Sequence, residues 1–238
     1  MKTKIVFVVL IISLFLSCTG KKLEIYGSNY GFLGIVRNNT LNIYKFMDEW
    51  IEMTDRNFTL RPGDKILYFD TGYIVIQKNN VLKLYSFNNG WTEIEGGFTL
   101  PAGYKHVFYN RIGNDIHLVK DNGIKTDNLG HRHWAEMPER NFLLPEKHGD
   151  IFLFSWLGIT NLSVAENDSL NFYELDGNGL SKTIVSFTLP QGYKNIIPYF
   201  QSIGVVENGV IKFYEPSYEN IEDQKWKEIP DMDFILKK

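Results

Sequence analysis

Few side chains in this 238-residue sequence have the types and spacing to do chemistry. Four carboxylates, Glu24, Asp70, Asp115 and Asp150, lie beside short apolar runs. Two carboxylates facing each other across a sugar would hydrolyse a glycosidic bond, one as acid and the other as base or nucleophile. Asp70 and Asp150 are the pair to test for this. The second group is His131-x-His133 in "GHRHWAEM". Residues two apart on a strand share a face, so both rings could reach one ion if His117 or His148 supplied a third ligand. A solvated turn between strands is the simpler reading, and no metal site is assigned. There is no Gly-x-Ser-x-Gly elbow, no Gly-rich phosphate loop, no His-Glu-x-x-His and no pair of cysteines. The expectation is a non-catalytic protein without a cofactor.

The elements that would position these groups follow from an internal repeat. A Phe-x-Leu string recurs at Phe58, Phe98, Phe142, Phe187 and Phe234, with Pro after it at Pro62, Pro101, Pro145 and Pro190. Trp50, Trp91, Trp134 and Trp226 stand seven or eight residues before the Phe, and the fourth unit has no Trp there. Between these markers each unit carries an apolar strand, a turn and a strand with alternating faces. The turns are read as Asn38-Asn39, Asn79-Asn80, Asn122-Gly123, Asn167-Asp168 and Asn208-Gly209, residue types that tolerate the positive φ of two-residue hairpins. A Tyr follows as Tyr44, Tyr85, Tyr173 and Tyr214, with Asp127 in its place in the third unit.

Each unit therefore reads as four short strands. In the second they are Lys65–Asp70, Tyr73–Gln77, Leu82–Phe87 and Trp91–Ile94. The first two strands are nearly continuous apolar runs, as expected of strands buried on both faces, whereas the fourth admits charge and suits an outer edge. Four-stranded units of this length are the signature of a β-propeller. The expected fold is all-β, a five-bladed β-propeller over residues 22–238, with repeats at about 22–64, 65–104, 105–149, 150–193 and 194–238. The recurring Phe, Leu and Trp are expected to wedge between blades. Closure could use whole blades or an N-terminal strand "KLEIY" paired near the last blade. The "GWTEIEGGFTLPAG" segment resembles repeats of five-bladed lectins of the tachylectin-2 type, which implies a ring and sugar binding. "TDNLGHRHW" resembles the Asp-box turn of sialidase propellers, but Asn128 stands for Asp and one residue too many precedes Trp134.

The first residues, "MKTKIVFVVLIISLFLSCTGKK", combine Lys2 and Lys4 with an apolar run from Ile5 to Leu16, too short to span a bilayer and suited to an export signal. Cys18, the only cysteine, ends that run. "FLSC" resembles the lipobox of bacterial lipoproteins, although Phe15 stands where most have Leu. The resemblance implies a signal peptide over 1–17, palmitate-type acylation of Cys18 and a tether over 18–21. Thr19, not Asp, follows the Cys, which implies an outer-membrane anchor. The exported domain then has no thiol and no disulfide, so its core alone must hold it together.

Net charge is -3, and without Lys2 and Lys4 it is -5, with 23 basic against 28 acidic residues. Lacking any basic tract, the chain is not expected to bind nucleic acid. The expectation is a monomeric, lipid-anchored cell-envelope module that binds a protein or a glycan. Its candidate ligand-binding residues are the strand-end aromatics Tyr30, Tyr73, Trp156 and Tyr218, since rigid rings supply contact area at low entropic cost. The alternative is an envelope glycoside hydrolase or sialidase-like enzyme with its site at the central channel.

Overall fold

Backbone pairing follows the repeat. The computed structural model describes residues 24–236 apart from 29, 105, 111–114, 122, 130–133, 139–140, 145–148, 150, 157–158, 177–178, 194, 200 and 218–225. Five separate antiparallel sheets form, each with its four main strands in sequence order. Blade 1 comprises Glu24–Ser28, Phe32–Arg37, Thr40–Phe46 and Trp50–Glu52, and blade 2 comprises Asp64–Phe69, Tyr73–Lys78, Val81–Phe87 and Trp91–Thr99. Blade 3 runs through His106–Asn110, Asp115–Lys120, Gly123–Leu129 and Trp134–Glu136. Blade 4 is Ile151–Trp156, Ile159–Glu166, Ser169–Asp176 and Gly179–Thr188. Blade 5 is Ile196–Tyr199, Ser202–Glu207, Val210–Pro216 and Trp226–Glu228. The first strands of blades 2 and 3, 3 and 4, 4 and 5, and 5 and 1 touch one another, and blades 1 and 2 share an apolar cluster, so the sheets ring an axis and the chain is a five-bladed β-propeller.

The second-to-third-strand hairpins form where Asn tolerates a left-handed backbone. Asn38 and Asn39 have φ of 51° and 62°, Asn79 53°, Asn167 55°, and Asn208 and Gly209 47° and 83°. Blade 3 corrects the expected register by one residue. Asp121 carries the positive φ (52°) and Gly123 already pairs with Lys120, so Gly123 opens the third strand instead of closing the turn. The reason is the pleat. This register sends Ile124 inward, where it is 1% exposed, and a slip of one would turn it to solvent.

The Phe-x-Leu motif fastens each blade to its own turn and to the next blade. Among the described residues the Leu amide donates to the turn carbonyl from Leu60 to Asn39 (2.7 Å), Leu100 to Asn80 (2.6 Å), Leu189 to Asp168 (2.8 Å) and Leu236 to Gly209 (2.8 Å). The side chains then enter five apolar clusters, one per seam. Phe58 and Leu60 pack on Ile66, Ile74 and Ile76 of blade 2. Leu100 meets Val107, Ile116 and Leu118 of blade 3. Phe142 and Leu144 meet Ile151, Leu162 and Val164 of blade 4, and Phe187 and Leu189 meet Ile203 and Val205 of blade 5. Phe234 completes the circle against Leu33, Ile35 and Tyr44 of blade 1. Each fully buried Leu, Ile or Phe contributes about 1.5–3 kcal/mol, so the seams are where the ring's stability resides.

The spacing from Trp to Phe decides the outer edge. Eight residues, in blades 1, 3 and 5, leave a three-residue outer strand and a short separate strand at the Phe: Phe58–Thr59, Phe142–Leu143 or Phe234–Ile235. In blades 1 and 5 a 3-10 turn lies between, Thr54–Arg56 and Pro230–Met232. Seven residues, in blade 2, give one continuous strand with a bulge opposite Leu82 to Leu84. Asn57 and Asn141 bridge the gap in blades 1 and 3, each accepting from a third-strand amide, Ile43 or Thr126, at 3.0 Å. Asp233 occupies the same place in blade 5.

Closure uses whole blades. Glu24–Ser28 pairs with Phe32–Arg37 of its own blade and not with a strand of blade 5. It meets blade 5 by packing alone, and so tightly that a Cβ on Gly27 would stand 1.7 Å from the Pro198 carbonyl oxygen.

Candidate functional site

The topology divides the propeller into two ends. At one, the turn end, lie the hairpins at Asn38, Asn79, Asp121, Asn167 and Asn208 and the starts of the innermost strands. At the other, the loop end, lie the first-to-second and third-to-fourth strand connections.

Tyr30, Tyr73 and Trp156 all fall at the loop end. Tyr30 is 43% exposed in the connection after Glu24–Ser28, and its amide donates to Ser28 Oγ at 3.2 Å. Tyr73 is half-buried at the start of its strand, one blade along. Trp156 ends Ile151–Trp156 at this same end. Tyr218 lies outside the described residues, as do His131, His133, His148, Asp150 and Cys18.

Of the described carboxylates, Glu24 lies at the opposite end of the ring from Asp70 and Asp115. Asp70 is 1% exposed and holds a turn. Its Oδ1 accepts from the amides of Gly72 (2.6 Å) and Tyr73 (2.7 Å), and its Oδ2 from the Tyr68 hydroxyl (2.7 Å). Asp115, 2% exposed, accepts from Asn128 Nδ2 at 2.6 Å. Both are at the loop end. Glu24 is exposed at the turn end, where it accepts from the Tyr26 hydroxyl at 2.8 Å. By register Glu24 is level with Lys65. The five steps from Lys65 to Asp70 span about 16 Å along the chain, well beyond the ~5–9.5 Å that separates glycosidase carboxylates. His117 is buried in the seam toward blade 4, with Nδ1 3.0 Å from Thr126 Oγ1, in a place where other blades put Gly, Val or Ser. No cluster of three or more His, Cys, Asp or Glu forms among the described residues.

Between the two ends runs the channel, a cavity of about 240 Å³ lined by Tyr26, Lys65, Tyr68, His106, Phe108 and Pro198 among others. Its wall is aromatic, with Tyr68 edge-on to Tyr109 and His106 parallel to Phe108. Burial, reinforced by the hydrogen bond to Glu24, pushes the Tyr26 hydroxyl well above its usual range, so it stays a neutral donor. Sequence reasoning did not single out these residues. The signal that finds them is position: all lie on the first strands of their repeats, which ring closure brings to the axis.

No family model matches this sequence, and no curated protein does. Solved structures do. The chain is similar to SapL1 lectin in complex with α-methyl fucoside, at 12% identity, a TM-score of 0.50, and 87% of this chain against 79% of that one. It is similar to Hsv2p of Kluyveromyces lactis at 13% identity, TM-score 0.48, covering 87% and 96% of the two chains. A candidate 6-phosphogluconolactonase of Bacteroides fragilis matches at 11% identity, TM-score 0.42, covering 86% and 68%. At these identities the likeness is one of architecture, and that architecture is the β-propeller.

Proposed function

We propose that this protein is a lipid-tethered propeller of the bacterial cell envelope that binds a protein or glycan without transforming it. The observation that supports the reading best is that Tyr30, Tyr73 and Trp156, on three different blades, share one end of the ring. Aromatic residues placed at one end of a rigid scaffold suit recognition. The two buried carboxylates at that end, Asp70 and Asp115, are engaged in local hydrogen bonds. A glycan belongs among the partners to test because a lectin shares the architecture. The lipid anchor is Cys18, and an outer-membrane address follows from Thr19 after it. Among the described residues no helix is long and apolar enough to cross a membrane.

The test is a glycan array probed with soluble protein spanning residues 19–238, beside a Tyr30→Ala variant and chemical cross-linking in intact envelopes. A sugar hit reduced by Tyr30→Ala supports glycan recognition at the loop end. A blank array with a specific cross-linked protein moves the partner to protein. Release of a cleaved glycan by the purified protein would overturn the non-catalytic reading.

A further inference from the structure

From the strand order and the length of chain ahead of it, we infer which way the ring faces: the turn end rests on the membrane that holds the anchor, and the loop end points away from it. The inference rests on the proposal that Cys18 is lipidated. Five residues, Thr19 to Leu23, separate Cys18 from Glu24, the first residue of the innermost strand of blade 1. Fully extended, that segment reaches about 20 Å. It joins the ring beside the axis, not at the rim, and it joins at the turn end, because Glu24 pairs with Val36 next to the Asn38 hairpin.

Around the outside the inverted arrangement is out of reach, and inside it would need the tether threaded down the channel. With the loop end on the bilayer, Glu24 would stand at least the height of its own five-residue strand, about 15 Å, above the surface. The direct path down is the channel, whose walls are Tyr26, Tyr68 and Phe108. The path around the outside must first cross three inter-strand spacings of blade 1, about 14 Å, before it descends. The sum exceeds the tether.

Charge agrees with this side of the disc. At the turn end of blades 1 and 2, around the point of attachment, Arg37, Arg61, Lys65 and Lys78 outnumber Glu24 and Asp64, and an anionic lipid surface attracts this net positive side. Asp48, Glu49, Asp70 and Asp115 lie at the loop end. Glu166, Asp168 and Glu207 sit at the turn end of blades 4 and 5, so the contact is made by blades 1 and 2 and the disc leans toward them.

The full-length lipidated protein tests this, because acylation leaves it without a thiol and each introduced cysteine is unique. Asn79→Cys and Asn89→Cys are a matched pair: both exposed in turns of blade 2, with φ of 53° and 56°, at opposite ends of Val81–Phe87. That seven-residue strand holds them roughly 20 Å apart. Each variant carries a fluorophore and is reconstituted in phosphatidylglycerol-containing vesicles with an acceptor on the lipid headgroup. Energy transfer from position 79 should exceed that from position 89 at least about twofold at this separation, and Asn208→Cys, on the acidic side of the turn end, should fall between them. Equal transfer from 79 and 89, or the reverse order, overturns the inference. Intact mass and detergent partitioning, with Cys18→Ala as control, are read on the same samples. If the acyl mass is absent, the lipid reading itself fails and the orientation falls with it; if it is present and transfer is equal, only the orientation fails.

Discussion

The indole nitrogen of Trp50 donates to the backbone carbonyl of Met232 at 2.8 Å, joining residues 182 apart in sequence across the seam where the last blade meets the first. The Trp50 ring packs on Tyr199, Phe213 and Phe234 of blade 5, and the Tyr199 hydroxyl donates to the Gly31 carbonyl at 2.9 Å from the other side. Burial holds that hydroxyl's pKa up at about 12, so the bond persists at any physiological pH. An internal seam is built the same way: Trp91 of blade 2 donates to the carbonyl of Arg56 in the turn of blade 1 at 3.0 Å.

Trp50→Phe and Trp91→Phe should therefore cost alike, each about 1–3 kcal/mol for a lost hydrogen bond and an underfilled site. Urea denaturation of the two variants checks this. Near-zero cost at Trp50 beside a full cost at Trp91 would mean that the closing seam is open in solution.

Asp70→Ala should destabilise the ring by about 2–3 kcal/mol, because two amides and the Tyr68 hydroxyl lose a buried acceptor together. Asp70→Asn keeps an oxygen for the two amides and should cost about half as much. Equilibrium unfolding separates the two. Wild-type stability in Asp70→Ala would remove its role as the anchor of that turn.

Blade 5 carries a pH-sensitive position that blades 1 and 3 lack. Asn57 and Asn141 each donate to the glutamate of their outer strand, Glu52 at 2.8 Å and Glu136 at 3.0 Å. Asp233 has no such donor once ionised. Burial first, and then the nearby Glu228, raise its pKa, while Lys212 pulls the other way. A carboxyl whose pKa is raised by folding contributes most below its unfolded pKa, where it is protonated in both states. That contribution is lost as pH climbs through the higher folded value. Asp233→Asn should stabilise the protein at pH 7 by about 0.5–1 kcal/mol and show no gain at pH 3. The difference between variant and wild type, followed by urea unfolding across that range, gives the answer. A pH-independent difference would rule out Asp233 as the titrating group.

The five-fold period, the strand count and the wedge role of Phe, Leu and Trp were legible because each rests on local chemistry repeated five times. The Phe at a seam is buried in four copies and half-buried in the other, at Phe98, and each hairpin uses an Asn or Asp with a left-handed backbone. The single-copy features were harder to read. Asn-Gly is the stronger turn signal in blade 3, yet the turn starts at Asp121, since burial of Ile124 outweighs one residue's turn preference. Asp70 looked like a possible catalyst, when Asp-Thr-Gly is also the pattern of a side chain capping its own turn. The channel wall escaped notice because its residues are brought together by ring closure and by nothing in their spacing.

Every blade of this ring is made of consecutive residues, and the ring shuts by contact instead of by lending a strand from one end of the chain to the other. The heritable unit and the structural unit are therefore the same segment. Duplication of one stretch of about forty codons adds a whole blade with both of its seams, and loss of one removes a blade without orphaning a strand. Such a ring can diverge blade by blade, as His117 and Asp233 already illustrate, while the wheel that carries them stays intact.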